Sequence, residues 1–216
     1  MIWAIVAVIA LLAIGFAAGF ALSEATMSPQ AKPPSPIDVG FCQDMSVHHA
    51  QAVEMATAEV TGGADPAVKN LAFDILTTQQ NQIGRMQGWL TQWGQPLLPA
   101  NGYMGWMATS PASHHPAAPA ATSGPDGPVA VMPGMATSAE LARLRNAAPA
   151  ERDVLFLELM LRHHRGGTGM LALAADKAEA PYVRDLARQM LNAQNAEIMA
   201  IEQLLRQKNP PMRPPG

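Results

Sequence analysis

Two stretches with one pattern decide the fold: residues 38–60, DVGFCQDMSVHHAQAVEMATAEV, and residues 153–175, DVLFLELMLRHHRGGTGMLALAA. Each carries Phe, Met, a His-His pair and a second Met at the same spacing. Shifting the sequence by 115 residues aligns 38–90 with 153–205 without a gap, and 15 of the 53 aligned pairs are identical. Ordinary composition would give about four. The repeated unit is therefore longer than one helix.

Helix start and stop signals divide each copy into two helices. In copy one, Gly62-Gly63 ends the first helix, and Asp65-Pro66 supplies an N-cap and a first-turn proline for the second. Thr137 to Glu140 forms a capping box ahead of a short extra helix. The predicted helices are 38–60, 66–93, 138–146, 149–175 and 181–207. Two antiparallel hairpins of this kind make an all-α four-helix bundle.

Composition sets the boundaries around the hairpins. Segments rich in proline, glycine and small polar residues show no helical period and are predicted to be linkers or tails. The predicted organisation is a 1–22 apolar segment, a 23–37 Pro-rich spacer, hairpin one over 38–94, a 95–136 linker containing Met, Pro, Gly and His, the short helix with hairpin two over 137–208, and a 209–216 Pro-rich tail.

The first 22 residues contain no charged side chain. A helix over the 21 residues Ile2–Leu22 would be about 31 Å long, enough to cross a bilayer. A cleaved signal peptide normally has a basic segment before a shorter apolar core, and no basic residue stands here. We therefore favour an uncleaved membrane anchor, with the bundle on the extracytoplasmic side. Cleavage near Ala21-Leu22-Ser23, releasing a soluble protein, is the alternative.

Charge and motifs exclude several function classes. A formal net charge of −3 gives no basic surface for nucleic acid. The single cysteine, Cys42, forbids an intramolecular disulfide. The sequence contains no Ser-His-Asp order, phosphate-binding loop or CxxC motif, so we expect no enzyme activity.

Each copy places one set of potential ligands on a broad helical stripe. All six histidines occur as adjacent pairs, and two pairs stand at equivalent repeat positions. At 100° per residue, these imidazoles share a face with Phe and Met, a face that should point into the bundle. The candidate metal ligands are Met45, His48, His49 and Met55, with Met160, His163, His164 and Met170 in copy two.

A purely structural interpretation stays open for these histidines. A buried imidazole needs a hydrogen-bond partner, since an unsatisfied polar group costs about 1–3 kcal/mol. Gln79 and Gln194, on the second helix of each hairpin, are expected to be those partners rather than ligands. A duplicated gene would inherit core histidines in any case. Glu54, Glu59 and Glu197 are expected to be solvated or to pair with other side chains.

Imidazole and thioether together point to copper. Thioether selects Cu(I), imidazole serves Cu(I), Cu(II) and Zn(II), and zinc is less favoured because the set contains so much methionine. Two Met-x-x-Met motifs flank the third histidine pair in the linker. Exposed methionines there would have no packing role and could capture Cu(I). The candidate capture residues are Met104, Met107, His114, His115, Met132 and Met135; incidental methionine in a low-complexity segment is the alternative.

The pattern of Asp38, Phe41, Met45 and His48-His49, followed by Gln79, Ile83, Met86 and Trp89-Leu90, resembles the family called domain of unknown function 305. Copy two, from Asp153 to Leu205, resembles it as well. The resemblance implies a ferritin-like four-helix bundle, exported or membrane-anchored, in which some members bind copper through Met and His. Gln82 departs from the acidic residue usual before the isoleucine, whereas copy two keeps Glu197.

Two functional hypotheses follow. The first is an extracytoplasmic protein that binds copper without turnover, for sequestration, delivery or resistance, with a copper-handling protein as its partner. The second is a structural or interaction module of a membrane-associated complex, in which the imidazoles only hydrogen-bond within the core.

Overall fold

A computed structural model describes residues 12, 13, 15, 16, 19, 32–108 and 128–208. Residues up to Pro33 and residues from Pro34 onward form two separate units. The five described residues before residue 20 are helical. Most of the predicted anchor, most of the spacer, the pair His114-His115 and the tail 209–216 lie outside the described residues. Among the residues that are described, no helix is both long and apolar enough for a bilayer crossing.

The described residues of the second unit form five α-helices, as the sequence predicts. They are α1 Pro36–Gly62, α2 Pro66–Gln92, α3 Ser138–Asn146, α4 Pro149–Lys177 and α5 Pro181–Lys208, with one 3-10 turn over Gly105–Met107. Proline stands in the first turn of all four long helices, where its missing N–H costs no hydrogen bond. No strand forms in the described part of the chain, although Tyr103 and Val129 make one isolated bridge.

The four long helices pack as two hairpins. Helix α1 packs along α2, α4 packs along α5, and the hairpins meet chiefly along α1 and α4. The interior divides into two apolar clusters. One contains Met45 and Met170 and the other contains Met55 and Met160. Since α1 carries Met45 and Met55 while α4 carries Met160 and Met170, the two helices run through these clusters in opposite directions.

Equivalent aspartates fasten each hairpin to the turn of the other. Asp38 Oδ1 accepts a hydrogen bond from Ala180 N at 3.0 Å, at the turn of hairpin two. Asp153 Oδ1 accepts one from Ala64 N at 2.8 Å, at the turn of hairpin one. Both carboxylates are buried. Burying an ionised group is costly unless it is hydrogen-bonded, so these two contacts hold the register between the hairpins.

The end of the bundle near Asp153 contains a second buried acid, Glu59. It is fully buried, so of the two expectations for Glu59 the solvated one is wrong, and its carboxyl group lies beside that of Asp153. Burial and the neighbouring Asp153 carboxylate raise the pKa of Glu59 from 4.5 to about 8. Lys208 Nζ donates to Asp153 Oδ2 at 2.8 Å and stabilises that carboxylate instead. At 100° per residue, Glu59 has the same angular position as Phe41, so it lies on the buried stripe of α1 itself.

This raised pKa predicts a pH dependence of stability. The native state keeps a proton on Glu59 that the unfolded state loses above about pH 4.5, so stability falls as pH rises toward 8. Glu59→Gln should remove that loss, and at pH 9 it should be more stable than the wild type by about 1 kcal/mol or more. Urea unfolding at pH 5, 7 and 9 measures it. The exposed Glu158→Gln is the control; equal slopes in all three proteins would contradict the prediction.

Candidate metal centre

The four predicted imidazoles form a polar layer between the two apolar clusters. The side chains of His48, His49, His163 and His164 are all fully buried. The rings of His48 and His163, equivalent residues of the two copies, are in contact where α1 meets α4, with centroids 3.8 Å apart and planes inclined by 33°. The ring of His164 lies 6.2 Å from that of His163. The duplicated pairs therefore meet in one place, which the sequence alone does not establish.

Each imidazole is held through Nε2. The acceptors are Pro133 O for His48 at 3.2 Å, Gln82 Oε1 for His49 at 2.8 Å, His48 O for His163 at 3.0 Å and Glu197 Oε2 for His164 at 2.6 Å. Carbonyl and carboxylate oxygens only accept, so these contacts place the proton on Nε2. The four Nδ1 atoms are buried and have no hydrogen-bond partner. Each Nδ1 therefore presents a free lone pair.

Burial keeps the rings of His48, His49 and His163 neutral. It lowers the pKa of His48 to about 4 and that of His49 to about 3, and the mutual repulsion of the histidines adds to the effect. The pKa of His163 is lowered well below its ordinary range by burial and by the other three histidines. Neutral imidazole is the form that ligates a metal. No proton has to be displaced from these three rings at neutral pH.

Gln79 and Gln194 are not the hydrogen-bond partners of the imidazoles. Both are buried, and both polar atoms of each amide lack a partner. Gln82 and Glu197, three residues further along the same helices, accept the hydrogen bonds of His49 and His164 instead. Positions three apart share a helix face, so the stripe alone could not decide which turn faces the imidazoles.

All four stripe methionines, Met45, Met55, Met160 and Met170, are fully buried, one pair in each flanking cluster. Among the described residues, no three His, Cys, Asp or Glu side chains converge into a ready-made metal site. A metal ion held in this layer would need thioether or amide donors beside the imidazoles. Cys42 is also buried, and burial raises the pKa of its thiol, which disfavours thiolate ligation.

The linker methionines pack on the bundle. Met132 is only 2% exposed, and Met104, Met107 and Met135 lie partly buried against the cluster that contains Met45. Their expected exposure is therefore wrong, because they cover apolar surface that the helices leave open. Their role in copper capture stays a prediction, as does that of His114 and His115, which lie outside the described residues.

The segment Met132-Pro133-Gly134-Met135 covers the polar layer. Pro133 supplies the acceptor for His48, and Gly134 turns the chain with φ +82°. A side chain at Gly134 would meet the backbone oxygen of Arg162 at 2.6 Å. Gln51 fixes the far end: its amide donates to Ala136 O at 3.0 Å and accepts from Ala136 N at 2.6 Å. The turn lies directly on α1 and α4.

Comparison with known proteins gives a consistent result. The family model for the domain of unknown function DUF305 matches residues 38–205. A DUF305 protein from Streptomyces coelicolor, thought to be secreted, is 36% identical, with 80% of this chain and 94% of that one covered at TM-score 0.68. A DUF305 fragment from Deinococcus radiodurans is 32% identical, with 81% and 99% covered at TM-score 0.62. No match is found among curated proteins.

A third solved structure is CopM in its Cu(I)-bound form. It is 23% identical, with 81% of this chain and 98% of that one covered at TM-score 0.57. This level of identity shows that the fold is shared. CopM structures with Cu(II) and with silver are similar to this chain as well.

The close contact at Gly134 predicts the effect of a single methyl group. Gly134→Ala should destabilise the protein by about 2 kcal/mol or more, because alanine disfavours positive φ and its Cβ would clash with α4. Gly88→Ala is the matched control: its Cβ would meet nothing within 4 Å, and in a helix it should add up to about 1 kcal/mol. Urea unfolding followed by circular dichroism compares them. Equal stability of the two variants would contradict this packing of the turn.

Proposed function

The chain belongs to the DUF305 family, and from that premise we propose that it is an exported protein that binds copper, chiefly as Cu(I), through its duplicated His and Met residues. One observation carries the proposal: four imidazole Nδ1 atoms and two glutamine amides lie buried at the centre without partners. Core histidines with only a structural role would have both nitrogens paired, because an orphaned buried polar group costs about 1–3 kcal/mol.

The chemistry of the donors selects the ion. Neutral imidazole nitrogen and thioether sulfur are soft or borderline donors, and together they favour Cu(I) over magnesium, calcium or manganese. Thioether sulfur carries no charge, and neither does a neutral imidazole ligand. A divalent ion in so buried a place would have one carboxylate to offset its charge, that of Glu197 beyond His164, and the cost of burying the remaining charge is high. A monovalent soft ion therefore suits this layer best, and Cu(II) or zinc suits it less well.

The solved structures support the same class of ion. CopM, which shares the fold, is seen with Cu(I), with Cu(II) and with silver. Silver in solution is also a soft monovalent cation, so it is a redox-inert probe for the site proposed here.

We propose that copper is bound for sequestration or delivery and not for turnover. In the described part of the chain, the acid–base groups at the polar layer are the four imidazoles and Glu197, and each is held in a hydrogen bond within the bundle. Met132 and Met135 flank the turn that covers the layer. Their thioethers would pass copper to the imidazoles from solution or from a copper-handling partner protein, and back again.

Export is part of the proposal. The uncharged apolar segment 1–22 and the similarity to a protein thought to be secreted support it. An extracytoplasmic site would receive copper before it enters the cell. The uncleaved anchor stays a prediction, and the mass of the protein isolated from its native membrane would test it.

Removing the thioethers without disturbing the packing tests the binding site. Changing Met45, Met55, Met160 and Met170 to Leu conserves side-chain volume, so each change should cost less than about 1.5 kcal/mol. We expect Cu(I) affinity to fall at least about tenfold, measured by competition with a Cu(I) chelator. The exposed Met199→Leu is the control. Changing the four buried histidines to Ala should remove most of the binding.

Thermal melting separates this proposal from a scaffold without metal. A ligand that binds only the native state raises the melting temperature by an amount set by its concentration and Kd. Cu(I) or silver should stabilise the wild type, and zinc should do so less. A wild type that no metal stabilises, or a histidine variant that binds as tightly as the wild type, would contradict the proposal.

A further inference from the structure

The two halves of the polar layer differ in charge. His49 and His164 are equivalent residues, and each donates its Nε2–H to the residue 33 positions further along the chain. For His49 the acceptor is the neutral amide of Gln82, at 2.8 Å. For His164 it is the carboxylate of Glu197, at 2.6 Å. Of the two equivalent imidazoles, one is thus hydrogen-bonded to a neutral amide and the other to a carboxylate.

Among the described residues, the ion-pair partner of Glu197 is His164. The two arginines nearest to His164 in the sequence of α4 pair with other carboxylates: Arg162 lies 2.7 Å from Glu140 and Arg165 lies 2.6 Å from Glu202. The Glu197 side chain is 19% exposed, so water screens it only in part. A cation on Nδ1 of His164 would have this carboxylate on the far side of the same ring.

A carboxylate in that position strengthens a metal ligand. When the second ring nitrogen of a histidine donates to a carboxylate, the ligating nitrogen becomes more basic and the ring orientation is fixed. The same carboxylate offsets the charge of the ion. Gln82 fixes the orientation of the His49 ring but carries no charge, so it does not offset the charge of a bound ion.

A second difference between the copies lies at Gly167, three residues after His164 on α4. Gly167 has no side chain, and the free Nδ1 of His48 and the free Oε1 of Gln194 each lie 3.5 Å from the point where its Cβ would stand. The equivalent residue in copy one is Ala52, which places a methyl group at that position. Two unpartnered donor atoms, one from each hairpin, therefore lie next to Gly167, on the same helix as His164.

We propose that the two halves of the site are unequal: the first soft monovalent cation is held on the hairpin-two side at His164, with Glu197 as its counter-charge. This inference rests on the proposed copper-binding function. It predicts one tight and one weaker equivalent per chain. Glu197 acts here as a positioning residue that does not itself touch the ion.

The duplication supplies a matched pair of variants. Glu197→Gln makes copy two resemble copy one, and Gln82→Glu makes copy one resemble copy two. The full-length wild type and each variant are purified in detergent. Silver, or Cu(I) buffered by a chelator, is then titrated into each protein. We expect the first equivalent to bind 10–100-fold more weakly in Glu197→Gln, and the second to bind more tightly in Gln82→Glu. Melting without metal checks that both variants fold.

The double variant Glu197→Gln with Gln82→Glu locates the ion. It should restore one tight equivalent, but that binding should now be lost on His49→Ala and no longer on His164→Ala. A purely structural role of Glu197 would change the melting temperature without moving the ion between histidines. Equal affinity of two ions in the wild type, or no change in either single variant, would overturn the inference while leaving copper binding intact. A wild type that binds neither ion would overturn the proposed function itself.

Discussion

Four imidazoles buried at one helix crossing are the constraint on which the rest of the structure depends. Each must find an acceptor for its N–H, and the acceptors come from four different places: two backbone carbonyls, one amide and one carboxylate. Two glutamine amides in the same interior have none. With the four imidazole Nδ1 atoms, these two amides make six buried polar groups without a hydrogen-bond partner. At a cost of about 1 kcal/mol or more each, the six would offset a large part of the 5–15 kcal/mol that stabilises a typical domain. A protein that keeps these unpaired groups in its interior recovers part of that cost if a bound ion coordinates some of them.

Much of the architecture could be predicted from the sequence because its signals are local. Proline in the first turn, a glycine pair after α1 and the gapless repeat locate the long helices to within about two residues. The stripe of His and Met correctly indicated which side chains face inward. These features depend on one chain segment at a time, so periodicity was enough to find them.

What could not be predicted depends on contacts between segments. The choice of Gln82 over Gln79 as the partner of His49 requires the relative height of α1 and α2, which no single-helix pattern contains. The raised pKa of Glu59 depends in part on the carboxylate of Asp153, about 90 residues away in the chain. The segment around Met132 has linker composition, and its packing on α1 and α4 follows from one turn at Gly134 that only the assembled bundle justifies.

That covering turn also explains why the two copies diverge where they do. Gln51 and Gly166 are equivalent residues in the repeat, and both serve the same segment. Gln51 binds it through two hydrogen bonds to Ala136, whereas Gly166 makes room for it, since a side chain there would collide with the Pro133 backbone. Only one such segment lies across the two hairpins in the described structure, so the repeat symmetry has to end at its contacts. Once the copies differ there, their metal ligands no longer experience the same surroundings, and equal affinity would itself require an explanation.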